Sequence, residues 1–434
     1  MTDLNVFSPR ILRPEDANQN WQWDRALASP GFKQVDFETR VDFQRLRKYR
    51  LSRAKNALKN SGLGALILFD VNNIRYITGT KIGEWERDKL CRFALLAGDE
   101  EPFVWDFGSA AVHHQLNCDW LDPNRCLAGM TGMRGTVPPS VGLMKNHAEE
   151  IMSYLKAAGV ADMPIGLDIA ETAMFFELQK AGMNIVDGQQ VMLDAREIKN
   201  IDEITLLNQA ATMVDGVYHM IYEELKPGVR ENDIVALANQ MLYEMGSDDV
   251  EAINAISGER CSPHPHNFTD RMFRPGDQAF FDILQSYQGY RTCYYRTFNV
   301  GTATSEQNDA YIKCREWLDK AIELIKPGVS TDTVAKAWPK AEEFGFDSEM
   351  QAFGLQFGHG LGLALHERPI ISRLVSLENP MEIKTGMVFA LETYCPAKDG
   401  VSAARIEEEV VVTDKGCKVI SLFPAEDLPI ANKY

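Results

Sequence analysis

The feature that most constrains the fold of this chain is a short turn that occurs twice. Leu225-Lys-Pro-Gly-Val229 ends one helical run, and Ile325-Lys-Pro-Gly-Val329 ends another 100 residues later. Proline cannot continue a helix, and glycine accepts the left-handed backbone that closes one. Each turn leads into a polar N-cap region and a second helix, closing at Gly246 and at Gly345, and then into strands carrying a Pro-His or a Gly-His site. Pro-Gly turns also recur by chance. Here the segments that follow match as well, which predicts an internal duplication. Two such units packed about a pseudo-twofold axis, with their strands in one sheet, would assemble a site in the cleft between them.

Ahead of the duplicated region the pattern differs. Residues 1–42 carry Pro9, Pro14, Pro30, Trp21 and Trp23 without a sustained period, and read as an arm whose tryptophans dock on the body or on a second subunit. From Phe43, apolar positions fall at helical spacing up to Gly62. Short apolar strands at 65–69, 92–96, 102–105 and 165–167 then alternate with helices near 147–158 and up to about 181. This predicts an α/β domain over 43–195 and a second domain over 196–434, for an α+β chain overall.

Composition limits the partners. The chain has 45 Lys+Arg against 62 Asp+Glu, a formal charge of −17, which repels phosphate backbones and argues against nucleic acid. Its apolar runs are strand-sized, far short of the roughly 20 residues that span a bilayer, and its N-terminus lacks a secretory pattern. No membrane partner is expected, and the expected location is the cytoplasm. Eight cysteines with no CxxC pair make neither a disulfide framework nor a zinc finger.

The candidate chemistry lies on two hairpins. Asp282 and Cys293 flank a turn at 285–289 and are expected roughly opposite each other. Glu392 and Glu407 are centred on Asp399-Gly400. A carboxylate within Phe280-Phe-Asp-Ile-Leu284 is costly to bury alone. Several acids on apolar strands repel one another unless a cation lies between them, and a divalent metal is the economical answer. Histidines cluster at His264 and His266, and at His359 and His366, the latter pair among Gly358, Gly360 and Gly362. Imidazole ligates metals and moves protons near neutral pH. Those glycines are expected to let the backbone approach a ligand closely.

In this order, Pro265-His266-Asn267, Asp282, the run from Tyr290 to Phe298, His359-Gly-Leu-Gly-Leu-Ala-Leu-His366-Glu, Glu392 and Arg405-Ile-Glu407 resemble the creatinase, prolidase and methionine aminopeptidase superfamily. The resemblance covers about 196–434. It implies the pita-bread fold with its internal twofold, preceded by the α/β domain of the prolidase and aminopeptidase P branch. It implies a metal ligand set of Asp282, Cys293, His359, Glu392 and Glu407, with His266 and His366 as the catalytic histidines. His264 is the alternative to His266. The implied activity is hydrolysis of a C–N bond, in an Xaa-Pro dipeptide or a modified amino acid, by metal-activated water in a homodimer. The implied cofactor is Fe, Zn or Mn, one or two ions per subunit.

The sequence departs from that family at one ligand. Cys293 stands where the family has a bridging aspartate, which leaves three states open: one metal, two metals in altered geometry, or none, as in creatinase. A second resemblance runs through the N-terminal half. Gly64-Ala-Leu-Ile-Leu-Phe-Asp70, Asn73-Ile-Arg-Tyr-Ile-Thr-Gly79 and Trp105-Asp-Phe-Gly-Ser-Ala110 look like the DddP-type lyases that split dimethylsulfoniopropionate (DMSP) into dimethyl sulfide and acrylate. The catalytic half fits those lyases less well, since Asp282-Ile-Leu and Leu365-His366-Glu367 replace their motifs. Elimination is therefore the alternative reaction, and a non-catalytic homologue a third. Tyr290, Tyr294 and Trp85 are candidate substrate contacts through cation–π attraction, against the plainer reading that strand tyrosines pack.

Overall fold

A computed structural model describes residues 41–83 and 90–433. The proposed arm and Trp85 lie outside the described residues. From Phe43 onward the chain forms one compact unit.

The first six strands are β1 (Ala65–Leu68), β2 (Phe93–Ala97), β3 (Phe103–Phe107), β4 (Cys126–Gly129), β5 (Ile165–Leu167) and β6 (Ile185–Asp187), in the spatial order β4-β3-β2-β1-β5-β6. Helices Leu143–Ala157 and Thr172–Lys180 cover this mixed sheet with Met144, Ile151, Leu155, Met174 and Leu178. β4 and β6 were not read from the sequence. Both are short and only partly buried, so neither shows a continuous apolar run.

The remaining strands form two sheets. β7 (Asp249–Ser257), β8 (Gln278–Tyr287), β9 (Tyr290–Val300) and β15 (Ile430–Ala431) are ordered β15-β9-β8-β7. β10 (Phe357–Gly360), β11 (Glu367–Ile371), β12 (Val388–Pro396), β13 (Ala403–Val412) and β14 (Cys417–Val419) are ordered β11-β10-β12-β13-β14. Each sheet is backed by its own helices, Ile201–Glu224 with Glu231–Glu244 and Ser305–Leu324 with Thr331–Ala337, through separate apolar cores.

The duplicated turn does the same work twice. Gly228 and Gly328 have φ of +93° and +83°. The Gly228 N–H donates to Phe273 O at 3.0 Å, and the Gly328 N–H donates to Ile383 O at 2.9 Å. Each turn thereby latches its helix pair to the loop entering its inner strand, β8 or β12. The first long helix of each unit starts on a side-chain cap: Asn200 with Glu203 in one, Thr304 with Gln307 in the other.

Strand alternation then divides the side chains. On β8 and β9, Phe281, Ile283, Tyr294 and Phe298 enter the helix-side core, so Asp282, Cys293 and Tyr295 lie on the other face. On β12 and β13, Leu391, Ala404 and Ile406 face the helices, which leaves Glu392, Arg405, Glu407 and Glu409 on the other face.

Candidate metal centre

The two inner hairpins meet along these faces. Thr297 Oγ1 donates to Arg405 O at 2.6 Å, and Glu409 accepts from Cys293 N at 2.6 Å and from Thr292 Oγ1 at 2.8 Å, tying β9 to β13. Asp282, Cys293, His359, Glu392 and Glu407 are all buried in this seam. Cys293 Sγ lies 3.5 Å from Asp282 Oδ1 and 4.0 Å from Glu407 Oε2. One ligand atom each from Cys293, His359 and Glu407 lie within 4.8 Å of one another.

The expected pairing holds for Glu392 and Glu407, which are directly opposite. It is corrected for Asp282 and Cys293. Asp282 pairs with Tyr295 and Cys293 with Leu284, because the hairpin turns through Gln288-Gly289, one residue later than the midpoint assumed. The two side chains still share a face and meet on the diagonal.

Donors inside the seam are few. Asn254 Nδ2 donates to Asp282 Oδ2 at 3.0 Å, and Arg405 Nη2 donates to Glu392 Oε2. The sequence reading placed nothing positive between these acids except a metal. Arg405 is that missing charge for Glu392, with its guanidinium carbon 4.3 Å over the Tyr295 ring. Its role becomes visible only when β12 and β13 are paired, which sets Arg405 diagonal to Glu392. Asn254 arrives from β7 and carried no sequence signal.

Burial dominates the electrostatics. It raises the Asp282 carboxyl to about 6 and the Glu392 carboxyl to about 7, in each case against the lowering field of Arg405. Burial and then Glu392 push Glu407 well up, while burial and the surrounding carboxylates push up the Cys293 thiol. Burial and then His366 bring His359 down to about 3. In the absence of a cation these groups resist ionising together.

Two potential ligand atoms of the candidate set, His359 Nε2 and Glu407 Oε1, are buried without a hydrogen-bond partner, as are Arg405 Nε and Glu409 Oε2 on the same face. His359 Nδ1 is 3.0 Å from Gly360 O, so it carries the proton and Nε2 presents a lone pair to the seam. Nε2 is also 3.9 Å from Glu392 Oε1. Lone pairs converging in a buried seam with few donors fit a divalent cation.

The other sequence candidates divide. His366 is exposed, with its ring 4.4 Å from that of His359. His266 is exposed. His264 is the half-buried member of its pair and faces the seam: its Nε2 lies 2.7 Å from Arg405 Nη1 and its Nδ1 lies 3.1 Å from Pro265 O. Tyr290 and Tyr294 are corrected as substrate contacts. Both are fully buried on the helix side, where Tyr290 Oη donates to Glu203 at 2.9 Å and Tyr294 Oη donates to Asp215 at 2.6 Å. The glycines near His359 serve packing rather than a ligand. A Cβ at Gly362 would lie 2.6 Å from Glu367 Oε2, and one at Gly358 would lie 2.7 Å from Leu391 Cδ2. Glu367 itself is held by Lys199 at 2.9 Å and accepts from Ala364 N at 3.1 Å, which fixes the loop that presents His366.

Comparison with known proteins agrees with this architecture. Residues 205–414 match the model of metallopeptidase family M24, and residues 50–198 match the creatinase/prolidase N-terminal domain. A probable dipeptidase PepE of Mycobacterium bovis is 27% identical over 87% of this chain and 95% of its own length. The dimethylsulfoniopropionate lyase DddP of Roseovarius nubinhibens is 24% identical over 88% of this chain and 87% of its own. The crystal structure of dipeptidase PepE from Mycobacterium ulcerans superposes with a TM-score of 0.73 at 23% identity, covering 90% of this chain and 99% of that one. The α+β chain, with its duplicated catalytic half and its creatinase-type N-terminal half, belongs to the creatinase/prolidase/methionine aminopeptidase superfamily and is an enzyme of its metallohydrolase type.

Proposed function

We propose that this enzyme is a metal-dependent peptidase that hydrolyses the C–N bond of a short peptide, with dipeptides, Xaa-Pro among them, as the first candidates. The observation that carries the reading is the pair of orphaned buried atoms, His359 Nε2 and Glu407 Oε1, beside the Cys293 thiol at the junction of the two halves. Asp282, Cys293, His359, Glu392 and Glu407 would hold the cation. Bound there, a divalent ion supplies Lewis acidity toward the substrate carbonyl and lowers the pKa of water.

The chain's own groups do the positioning. Asn254 orients Asp282, Arg405 holds Glu392, and the Gly360 carbonyl aims His359. His366 stands at the solvent side of His359, placed to donate a hydrogen bond to the substrate carbonyl oxygen. His266, also exposed, would bind the substrate, with His264, which faces the seam beside Arg405, as the alternative. In hydrolysis the oxygen of water bonds to the carbonyl carbon, the C–N bond breaks, and the amine leaves with a proton.

Elimination of DMSP is the second reading, favoured by the likeness to DddP along nearly the full chain. There a proton leaves the carbon next to the carboxylate and the C–S bond breaks, releasing dimethyl sulfide. Incubation with a dipeptide panel including Gly-Pro, and separately with DMSP, distinguishes the two. Free amino acid without acrylate supports hydrolysis, and acrylate without amino acid replaces it with the lyase reading. We also propose, from the sequence, a cytoplasmic homodimer; a scattering mass near twice the 48.8 kDa of one chain supports the dimer and a single-chain mass rejects it. Among the described residues, no helix is long and apolar enough to cross a membrane.

A further inference from the structure

The metal-binding reading above leaves open which ion the seam takes and through which atoms. We infer that the seam binds one borderline divalent ion of the zinc class through the thiolate of Cys293, together with His359 Nε2 and Glu407. This inference rests on the metal reading and makes it specific.

Three observations carry it. First, these three residues place one ligand atom each within 4.8 Å of one another, and all three are buried. Ligands about 2.0 to 2.3 Å from a tetrahedral zinc are separated by about 3.5 Å, so the set needs to contract by only about an ångström. Second, two of the three residues present an unpartnered ligand atom. His359 Nε2 and Glu407 Oε1 are orphaned, whereas Asp282 Oδ2 is taken by Asn254 and Glu392 Oε2 by Arg405. Third, the chemistry of sulfur, imidazole nitrogen and one carboxylate suits zinc, cobalt or ferrous iron, while manganese and magnesium prefer oxygen.

The same arrangement opposes a second ion. A carboxylate can give one oxygen to each of two ions, whereas β9 supplies a single sulfur at that position. The two remaining acids of the set are already engaged, Glu392 by the fixed positive charge of Arg405 and Asp282 by Asn254. On binding, the Cys293 S–H loses its proton to solvent and the sulfur bonds to the ion, with no change of oxidation state.

Cobalt(II) reports the ligand directly. Full-length protein stripped with chelator is titrated with Co²⁺ and followed by absorbance and equilibrium dialysis. The expected result is saturation at one equivalent with a thiolate-to-cobalt charge-transfer band in the near ultraviolet. Cys293→Ser should lose the band and bind at least about 10-fold more weakly. Cys293→Asp should bind without the band and accept a second equivalent. Cobalt bound at one or two equivalents by the unaltered chain with no charge-transfer band overturns the thiolate inference and leaves the metal reading intact. No cobalt binding at all overturns both. If Cys293→Ser does not fold, X-ray absorption of the zinc-loaded unaltered protein decides: one sulfur at about 2.3 Å supports the inference, and only oxygen and nitrogen neighbours reject it.

Discussion

The two halves of the catalytic region share a plan of two helices joined by a Lys-Pro-Gly-Val turn and backing a hairpin, and they differ in seam chemistry. In the first, Asp282 on β8 faces Tyr295 and receives a hydrogen bond from Cys293 on the diagonal. In the second, Glu392 on β12 faces Glu407 and receives one from Arg405 on the diagonal. The contact is the same and the donor differs: a neutral thiol in one copy, a guanidinium in the other. The latches at Gly228 and Gly328 and the strand registers are made by backbone groups, so they survive while seam side chains diverge. One half then contributes the soft donor, and the other contributes a carboxylate with a built-in counter-charge.

The largest expected effects come from removing the ligands that the second half brings to the seam. His359→Ala or Glu407→Ala should lower metal affinity by more than about 100-fold and abolish turnover, read by metal analysis and by the dipeptide assay. Retained metal and activity in both variants would end the comparison, because the seam would not be the site.

Next comes the guanidinium. Arg405→Ala strands the Glu392 charge in a buried environment and should cost about 3–5 kcal/mol in urea unfolding, part of it recovered by adding Glu392→Gln. A loss under about 1 kcal/mol, or no recovery in the double variant, would show that Arg405 does not compensate Glu392.

A smaller asymmetry concerns the glycines at equivalent turns before β8 and β12. Gly276 and Gly386 have φ of +84° and +87°, but a Cβ at Gly276 meets nothing within 4 Å, whereas one at Gly386 lies 3.0 Å from both Ile198 Cγ2 and Lys199 O. Alanine should therefore cost about 1–2 kcal/mol at Gly276, from backbone strain alone, and about 1 kcal/mol or more beyond that at Gly386. Equal losses would show that the second copy does not press on the 198–199 segment.

The smallest effect tests the tyrosines. Tyr290→Phe and Tyr294→Phe each remove a buried hydrogen bond and should cost about 1–2 kcal/mol with kcat/KM unchanged. A several-fold rise in KM at unchanged stability would return them to the substrate site.

Much of this was legible before any coordinates. The duplication was readable because Pro-Gly is a local instruction, and the acids because a carboxylate inside an apolar strand needs a partner. The reading failed where the answer was nonlocal or where alternation was not applied. Tyr290 and Tyr294 are separated from Cys293 by odd numbers of residues, so they had to lie on the opposite face. The hairpin centre shifted because Gln288 takes a φ of +50°, which nothing in its identity announces. That His264 reaches the seam is set by Arg405, 141 residues away in the chain.

The central claim is that the seam between the halves is a cation site that drives hydrolysis. The most direct measurement follows metal content and dipeptide hydrolysis on the same purified sample through chelation and re-addition. The account predicts about one equivalent of Zn or Fe at the start, activity lost in step with the metal, and activity regained when it is restored. A fully stripped protein that cleaves dipeptides at its original rate would contradict it.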